Sequence, residues 1–214
     1  SRQDPVAAET ISRIANAAGF PPGVINVVHG GRQINKLILE QPEIKGVGFI
    51  GSNRAGHELF EICGRFRKTS SINGNGKNHV VIMPDADIDD SINWLLRACF
   101  GMTGQRCLGV DNVVVIGNIY DEVREKFIAA TKAMKLGYGL DEDAELGPYT
   151  TQDGKDKILD WIDKSLQDGA KMAYDGRAIK AEGYPDGYFM APTILEDVNA
   201  VSYTHLTLPT KRIV

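Results

Sequence analysis

Short β-branched or apolar runs alternate with amphipathic stretches along most of the chain. That alternation limits the fold more than any other feature, because it is the pattern of βαβ units and a parallel sheet. After Asp4-Pro5, VAAETISRIANAAG reads as a helix, with Asp4 as cap, Pro5 in the first turn and Gly19 as stop. GVINVV, residues 23–28, reads as a buried strand, and residues 34–40 as a helix. IKGVGFI, residues 44–50, predicts a second strand, and GSNRAGHELFEICG a turn and helix capped by Ser52 and stopped near Gly64. HVVIM (79–83) and GVDNVVVIG (109–117) predict strands around a helix that Pro84 to Asp87 opens and that runs to about Phe100. Tyr120 to Ala133 reads as a helix, and so does the stretch in which Ile158, Ile162 and Leu166 share one face. KMAY and YFMAPTIL look like strands. TSSINGNGKN, residues 69–78, reads as a polar connector and as the place where two domains meet.

With 214 residues the chain has room for one large domain or two small ones. A net charge of −4 gives no reason to expect nucleic acid or a membrane surface as partner, and no apolar run is long enough to span a bilayer. The three cysteines, Cys63, Cys99 and Cys107, show neither metal-ligand nor redox spacing, which suits a reducing compartment. The four histidines are scattered, so no metal site is expected.

Three stretches could carry chemistry. GMTGQRC ends in Cys107, on a loop between a helix and a strand. A free cysteine is most often a small buried hydrophobe, as Cys63 and Cys99 look to be. Cys107 follows the guanidinium of Arg106, which favours thiolate over thiol. GSNRAG, residues 51–56, lies between a strand and a helix, where it is either an ordinary helix start or a seat for a pyrophosphate on free N–H groups. It has neither the Lys-Ser/Thr of a P-loop nor the G-x-G-x-x-G fingerprint. NGNGKN, residues 73–78, is either a flexible linker or a place where glycines let the backbone approach a ligand closely.

GFPPGVINVVHG, IKGVGFIGSNRAG, GNGKNHVVIMPDAD, GMTGQRC, LGP and GYFMAPTIL occur in this order with sensible gaps. Together they resemble the aldehyde dehydrogenase superfamily. Within it the chain looks most like the CoA-acylating branch of methylmalonate-semialdehyde dehydrogenases, on GSNRAG, GKNHVVIMPDAD and DGRAIKAEGY. The resemblance covers residues 1 to about 198. VSYTHLTLPTKRIV does not continue the pattern and reads as a foreign tail.

The resemblance implies an α/β fold: a Rossmann-like NAD-binding part over residues 1–74, most of a catalytic domain over 75–200, and a non-family tail over 201–214. It implies that Cys107 is the nucleophile that attacks the aldehyde, forms a thioester after hydride transfer to NAD, and supplies a backbone N–H to the oxyanion hole. Hydrolytic members carry a glutamate where this chain has Asn73. Asparagine cannot take a proton from water, as expected if CoA rather than water releases the acyl group, or if the copy is damaged. Arg106 is the expected anchor for the substrate carboxylate, with a structural ion pair as the other reading. Phe49, Gly51, Ser52, Gly56 and Gly74 match the family's cofactor site. Arg2 stands where a glutamate usually holds the ribose hydroxyls, so NAD is expected but NADP is less excluded than usual. The parent is expected to be a homo-oligomer, a tetramer, in the cytoplasm or the mitochondrial matrix. Its substrates would be a small semialdehyde and CoA. The chain is expected to be a truncated, inactive piece of that parent. The alternatives are a hydrolytic NAD(P)-dependent aldehyde dehydrogenase and a non-catalytic nucleotide-binding module.

Overall fold

The computed structural model describes residues 5–198. The chain divides into two compact units, Ser1–Asn75 and Gly76–Val214.

In the first unit, α1 (Val6–Ala17) and α2 (Arg32–Glu40) precede β1 (Gly46–Ile50), α3 (Asn53–Arg65) and β2 (Thr69–Asn73). β1 and β2 run parallel, from Gly46 opposite Thr69 to Ile50 opposite Asn73, with α3 as the crossover. Gly56, Leu59 and Cys63 are the buried residues of α3, at i, i+3 and i+7 on one face. On the strands the half-buried residues alternate with exposed ones: Val47 and Phe49, then Ser70 and Ile72. Gly56 meets Phe49 and Ile72, so α3 covers that face, while Ile50 and Asn73 belong to the exposed one.

Two expectations fail here. Residues 23–28 form no strand, and Val24 and Val28 are exposed. No strand of the described residues lies alongside them, and β-branched residues without a partner ladder have no reason to extend. Residues 69–73, expected as connector, form β2. Their weak propensity is overridden by ladder hydrogen bonds to β1. The expected cap Asp4 lies outside the described residues. Pro5 holds the N-cap position of α1 without a side-chain bond.

In the second unit, β3 (His79–Ile82) leads into α4 (Ile88–Phe100), a 3-10 turn (Gly101–Gly104), β4 (Asn112–Val115) and α5 (Tyr120–Ala133). β3 and β4 are parallel, from His79 opposite Asn112 to Ile82 opposite Val115. Ile82, Ile92, Leu95, Val123 and Phe127 make the core between this sheet and α4 and α5. The Phe100 and Phe127 rings stack at 5.6 Å. Asp87 caps α4 by accepting from the Asp90 N–H at 3.0 Å. Farther on come α6 (Gln152–Gln167), β5 (Lys171–Tyr174) and β6 (Ile194–Glu196), the last two antiparallel. The strand expected over residues 188–195 is therefore much shorter, because Pro192 cannot donate to a ladder. On α6, Ile162 is buried but Ile158 is exposed.

Candidate functional site

Six of the expected site residues gather at one end of the β1–β2 pair. Phe49 and Ile50 close β1, and Gly51 and Ser52 make the turn into α3. Ser52 Oγ accepts from the Ala55 N–H at 3.4 Å, a long N-cap bond that leaves the hydroxyl hydrogen free to donate. A Cβ on Gly51 would lie 2.5 Å from Cζ of Phe49, and one on Gly56 would lie 2.9 Å from Cγ2 of Ile72. Neither position accepts a side chain without displacing the packing beneath the turn. The start of α3 therefore presents backbone N–H groups and one serine hydroxyl, with the exposed side chain of Arg54 in its first turn. Aligned peptide dipoles at such an end favour negative charge, a phosphate-bearing group among others.

Asn73, at the end of β2, accepts from the Gly51 N–H through its backbone carbonyl at 3.1 Å, which ties the two strand ends together. Gly74 follows. A Cβ there would lie 2.0 Å from Oδ1 of Asn53, and the same oxygen accepts from the Asn75 N–H at 2.8 Å. Asn53 thus latches the 74–75 backbone onto the first turn of α3. Sequence reasoning missed Asn53; its polar side chain next to a serine cap was the one available signal. Arg2 lies outside the described residues.

Arg106 and Cys107 belong to the second unit. The loop that carries them leaves α4 through Met102, Thr103 and Gly104 at φ 54°, 57° and 69°. Left-handed backbone costs a non-glycine residue about 1–2 kcal/mol, and the β-branched Thr103 is the least suited of the three. Hydrogen bonds hold the loop there. Thr103 Oγ1 donates to the Gly147 carbonyl at 2.9 Å. Gln105 Oε1 accepts from Thr150 Oγ1 at 2.9 Å, and Gln105 Nε2 donates to the Met102 carbonyl at 3.2 Å. The LGP motif is therefore the brace of this loop through Gly147. Cys107 emerges exposed.

The Arg106 guanidinium folds back over Gly101, where a Cβ would lie 3.0 Å from Nη1, and reaches the Arg97 carbonyl only at 3.5 Å. Among the described residues it enters no ion pair with a carboxylate. The structural ion pair considered for it is absent there, and the guanidinium keeps only this long contact with the end of α4. The other cysteines differ. Cys63 is fully buried, and burial pushes the Cys99 thiol up to about 12, with the nearby Asp111 charge adding to the effect. Among the described residues no group of three or more His, Cys, Asp or Glu could hold a metal, and no helix is long and apolar enough to cross a membrane.

The model of the aldehyde dehydrogenase family matches residues 1–205 of this chain. The chain belongs to the aldehyde dehydrogenase family. It is 36% identical over 198 residues to malonate-semialdehyde dehydrogenase 1 of Oceanobacillus iheyensis, covering 92% of this chain and 40% of that one. It is 38% identical to the mitochondrial acylating methylmalonate-semialdehyde dehydrogenase of Arabidopsis thaliana, covering 92% of this chain and 32% of the relative. A crystal structure from Sinorhizobium meliloti, assigned as a methylmalonate-semialdehyde dehydrogenase and complexed with NAD, superposes with a TM-score of 0.87 at 32% identity. That superposition covers 93% of this chain and 41% of the other. This aldehyde dehydrogenase chain therefore has the family's α/β fold but spans about two fifths of the length of such relatives.

Proposed function

We propose that this chain is part of an NAD-dependent, CoA-acylating semialdehyde dehydrogenase, with malonate or methylmalonate semialdehyde as substrate. The observation that carries the reading is the pair Arg106-Cys107: an exposed thiol on a loop held against its own backbone preference, preceded in the chain by an arginine with no carboxylate partner among the described residues. Fixed, strained loops of this kind are where function is commonly found. The names of the relatives point to the same substrate class.

The cofactor part of the reading rests on the β1–α3 turn. Its bare glycines, the Ser52 hydroxyl and the dipole of α3 suit a dinucleotide pyrophosphate. The Asn53 latch keeps Gly74 close to that turn. Bound there, the nicotinamide nucleotide supplies the acceptor for the two electrons and hydrogen that leave the aldehyde carbon.

Cys107 Sγ, as thiolate, forms a C–S bond to the aldehyde carbon, and the carbonyl electron pair moves onto oxygen. The backbone N–H of Cys107 stabilises that oxyanion. Loss of hydride re-forms the C=O bond and leaves a thioester on Cys107. Arg106 orients the substrate carboxylate bidentately, and orients more than neutralises it, since this group must then leave as carbon dioxide. The C–C bonding pair stays on the α-carbon, which takes up a proton. A CoA thiolate then attacks the thioester, releasing acyl-CoA and regenerating the Cys107 thiolate. Asn73 has no basic group with which to activate water, which favours the thiol as acceptor. The whole enzyme is read as a homo-oligomer, cytoplasmic or in the mitochondrial matrix.

The test is an assay of a relative-length protein containing this chain, given semialdehyde and NAD with and without CoA. NADH and acyl-CoA should form in equal amounts, with turnover dependent on CoA. Sustained NADH formation without CoA would make the enzyme hydrolytic and sink the acylating assignment. Running NADP in parallel reads the effect of Arg2 on cofactor choice.

A further inference from the structure

The geometry points to Asn78 as the positioning residue of the Cys107 loop: its carboxamide clamps the carbonyl of Cys107 itself, and so sets the direction of that peptide. Asn78 lies just before β3, on the opposite side of the loop from the Gly147 brace in sequence. Its Nδ2 donates to the Cys107 carbonyl at 2.9 Å and to the Gly109 carbonyl at 2.7 Å. Both of the amide hydrogens are thereby used on one short stretch of loop.

Asn78 is itself held from three sides. Its N–H donates to Asp111 Oδ2 at 3.0 Å, and its carbonyl accepts from the N–H groups of Asp111 and Asn112, each at 3.0 Å. Lys77 Nζ lies 3.3 Å from Asp111 Oδ1, which fixes the carboxylate. The clamp therefore grows from the start of the β3–β4 ladder, the most regular part of this unit. The loop on the far side is irregular and largely exposed. Before Cys107, the Gln105 N–H donates to the Met102 carbonyl at 3.1 Å, and after it two further backbone bonds are found among the described residues. Gly109 N–H donates to the Arg106 carbonyl at 3.1 Å, and Val110 N–H to the Ala98 carbonyl at 2.9 Å. Without Asn78, the carbonyl following the thiol-bearing carbon has no described partner. Rotation about the Cα–C bond of Cys107 would then turn this carbonyl relative to the sulfur and the N–H on the other side of Cα, so their joint direction against the β3 edge is no longer fixed.

The inference rests on Cys107 being the nucleophile, but its test does not use turnover. Amide hydrogen exchange is measured residue by residue in the 214-residue chain, for the parent sequence and for Asn78→Leu, Asn78→Asp and Asn78→Gln. Leucine and aspartate match asparagine in size and lack its two donors; glutamine keeps the carboxamide. Two hydrogen bonds lost predicts a rise of tenfold or more in exchange at Gly109 and Val110 for both isosteres. The glutamine variant should stay within about threefold of the parent, and β3 and α4 should keep their exchange rates. If either isostere exchanges like asparagine, or if exchange rises evenly through β3, α4 and β4, the positioning role is overturned. Labelling of Cys107 by iodoacetamide in the parent chain is read separately: a thiol no faster than Cys63 sinks the nucleophile reading and leaves the exchange result standing.

Discussion

The three thiols of this chain sit in three environments, and their reactivities should separate accordingly. Cys63 is buried, Cys99 is held protonated by burial up to about 12, and Cys107 is exposed. Iodoacetamide at pH 8, followed by peptide mapping, is expected to modify Cys107 at least tenfold faster than either of the others; comparable rates would remove the basis for a nucleophile. At Gly74, too, a contact dictates the residue. A methyl group there would overlap Asn53 Oδ1, so Gly74→Ala should cost about 1–3 kcal/mol by breaking the bond to Asn75. Adding Asn53→Ala removes the clash, and the double variant should be less destabilised than the sum of the two singles, as a double-mutant cycle in urea would show. Cys107, Arg106 and the GSNRAG turn stood out as candidates in the sequence, and the family resemblance supplied their expected roles. Asn53 and Asn78 could not, because what they do is set by which backbone atoms the fold brings within 3 Å of them.

Among the elements, the α4–α5 pair on β3 and β4 is the best determined. Its helices start at a capping aspartate or a short turn, and show buried residues at helical spacing: Val123, Phe127 and Thr131 on α5. Phe127→Ala removes a stacked ring from that core and should cost about 3–5 kcal/mol, whereas Asp87→Ala should cost about 1 kcal/mol through loss of the cap. Chemical denaturation of the two variants should preserve this ranking, and a reversed order would place the stability of α4 in its cap. The six helices of the described residues were legible from amphipathic spacing, and α3, α4 and α6 also from a capping side chain. Strands were less so. Residues 23–28 have strand composition and no partner, while Thr69 to Asn73 have connector composition and pair along their whole length with β1. A helix satisfies its hydrogen bonds within one stretch of sequence, but a strand satisfies them on another stretch altogether.

Over the whole molecule, two surface features govern behaviour in solution. Glu196 on β6 accepts both arms of the Arg124 guanidinium, which holds its carboxyl below the ordinary 4.5; Asp175 is lowered in the same way by Arg177. A lowered carboxyl adds stability above its unfolded value and loses it as pH falls through the folded one. The melting temperature should therefore drop below pH 4.5, and Glu196→Gln should flatten that drop. Val81, Met83, Val114 and Ile116, on and just beyond β3 and β4, are exposed apolar residues, although parallel sheets are ordinarily covered on both faces. The chain by itself is thus expected to bind a hydrophobic dye and to self-associate with rising concentration in sedimentation; a dye-silent monomer at high concentration would contradict this. The helices and the α/β character followed from the sequence alone, because periodicity, caps and turn chemistry act over a few neighbouring residues. Which segment pairs with β1, what braces the Cys107 loop and which side chain clamps its carbonyl were decided only in three dimensions. Those contacts join residues up to 45 positions apart, and no local rule encodes them.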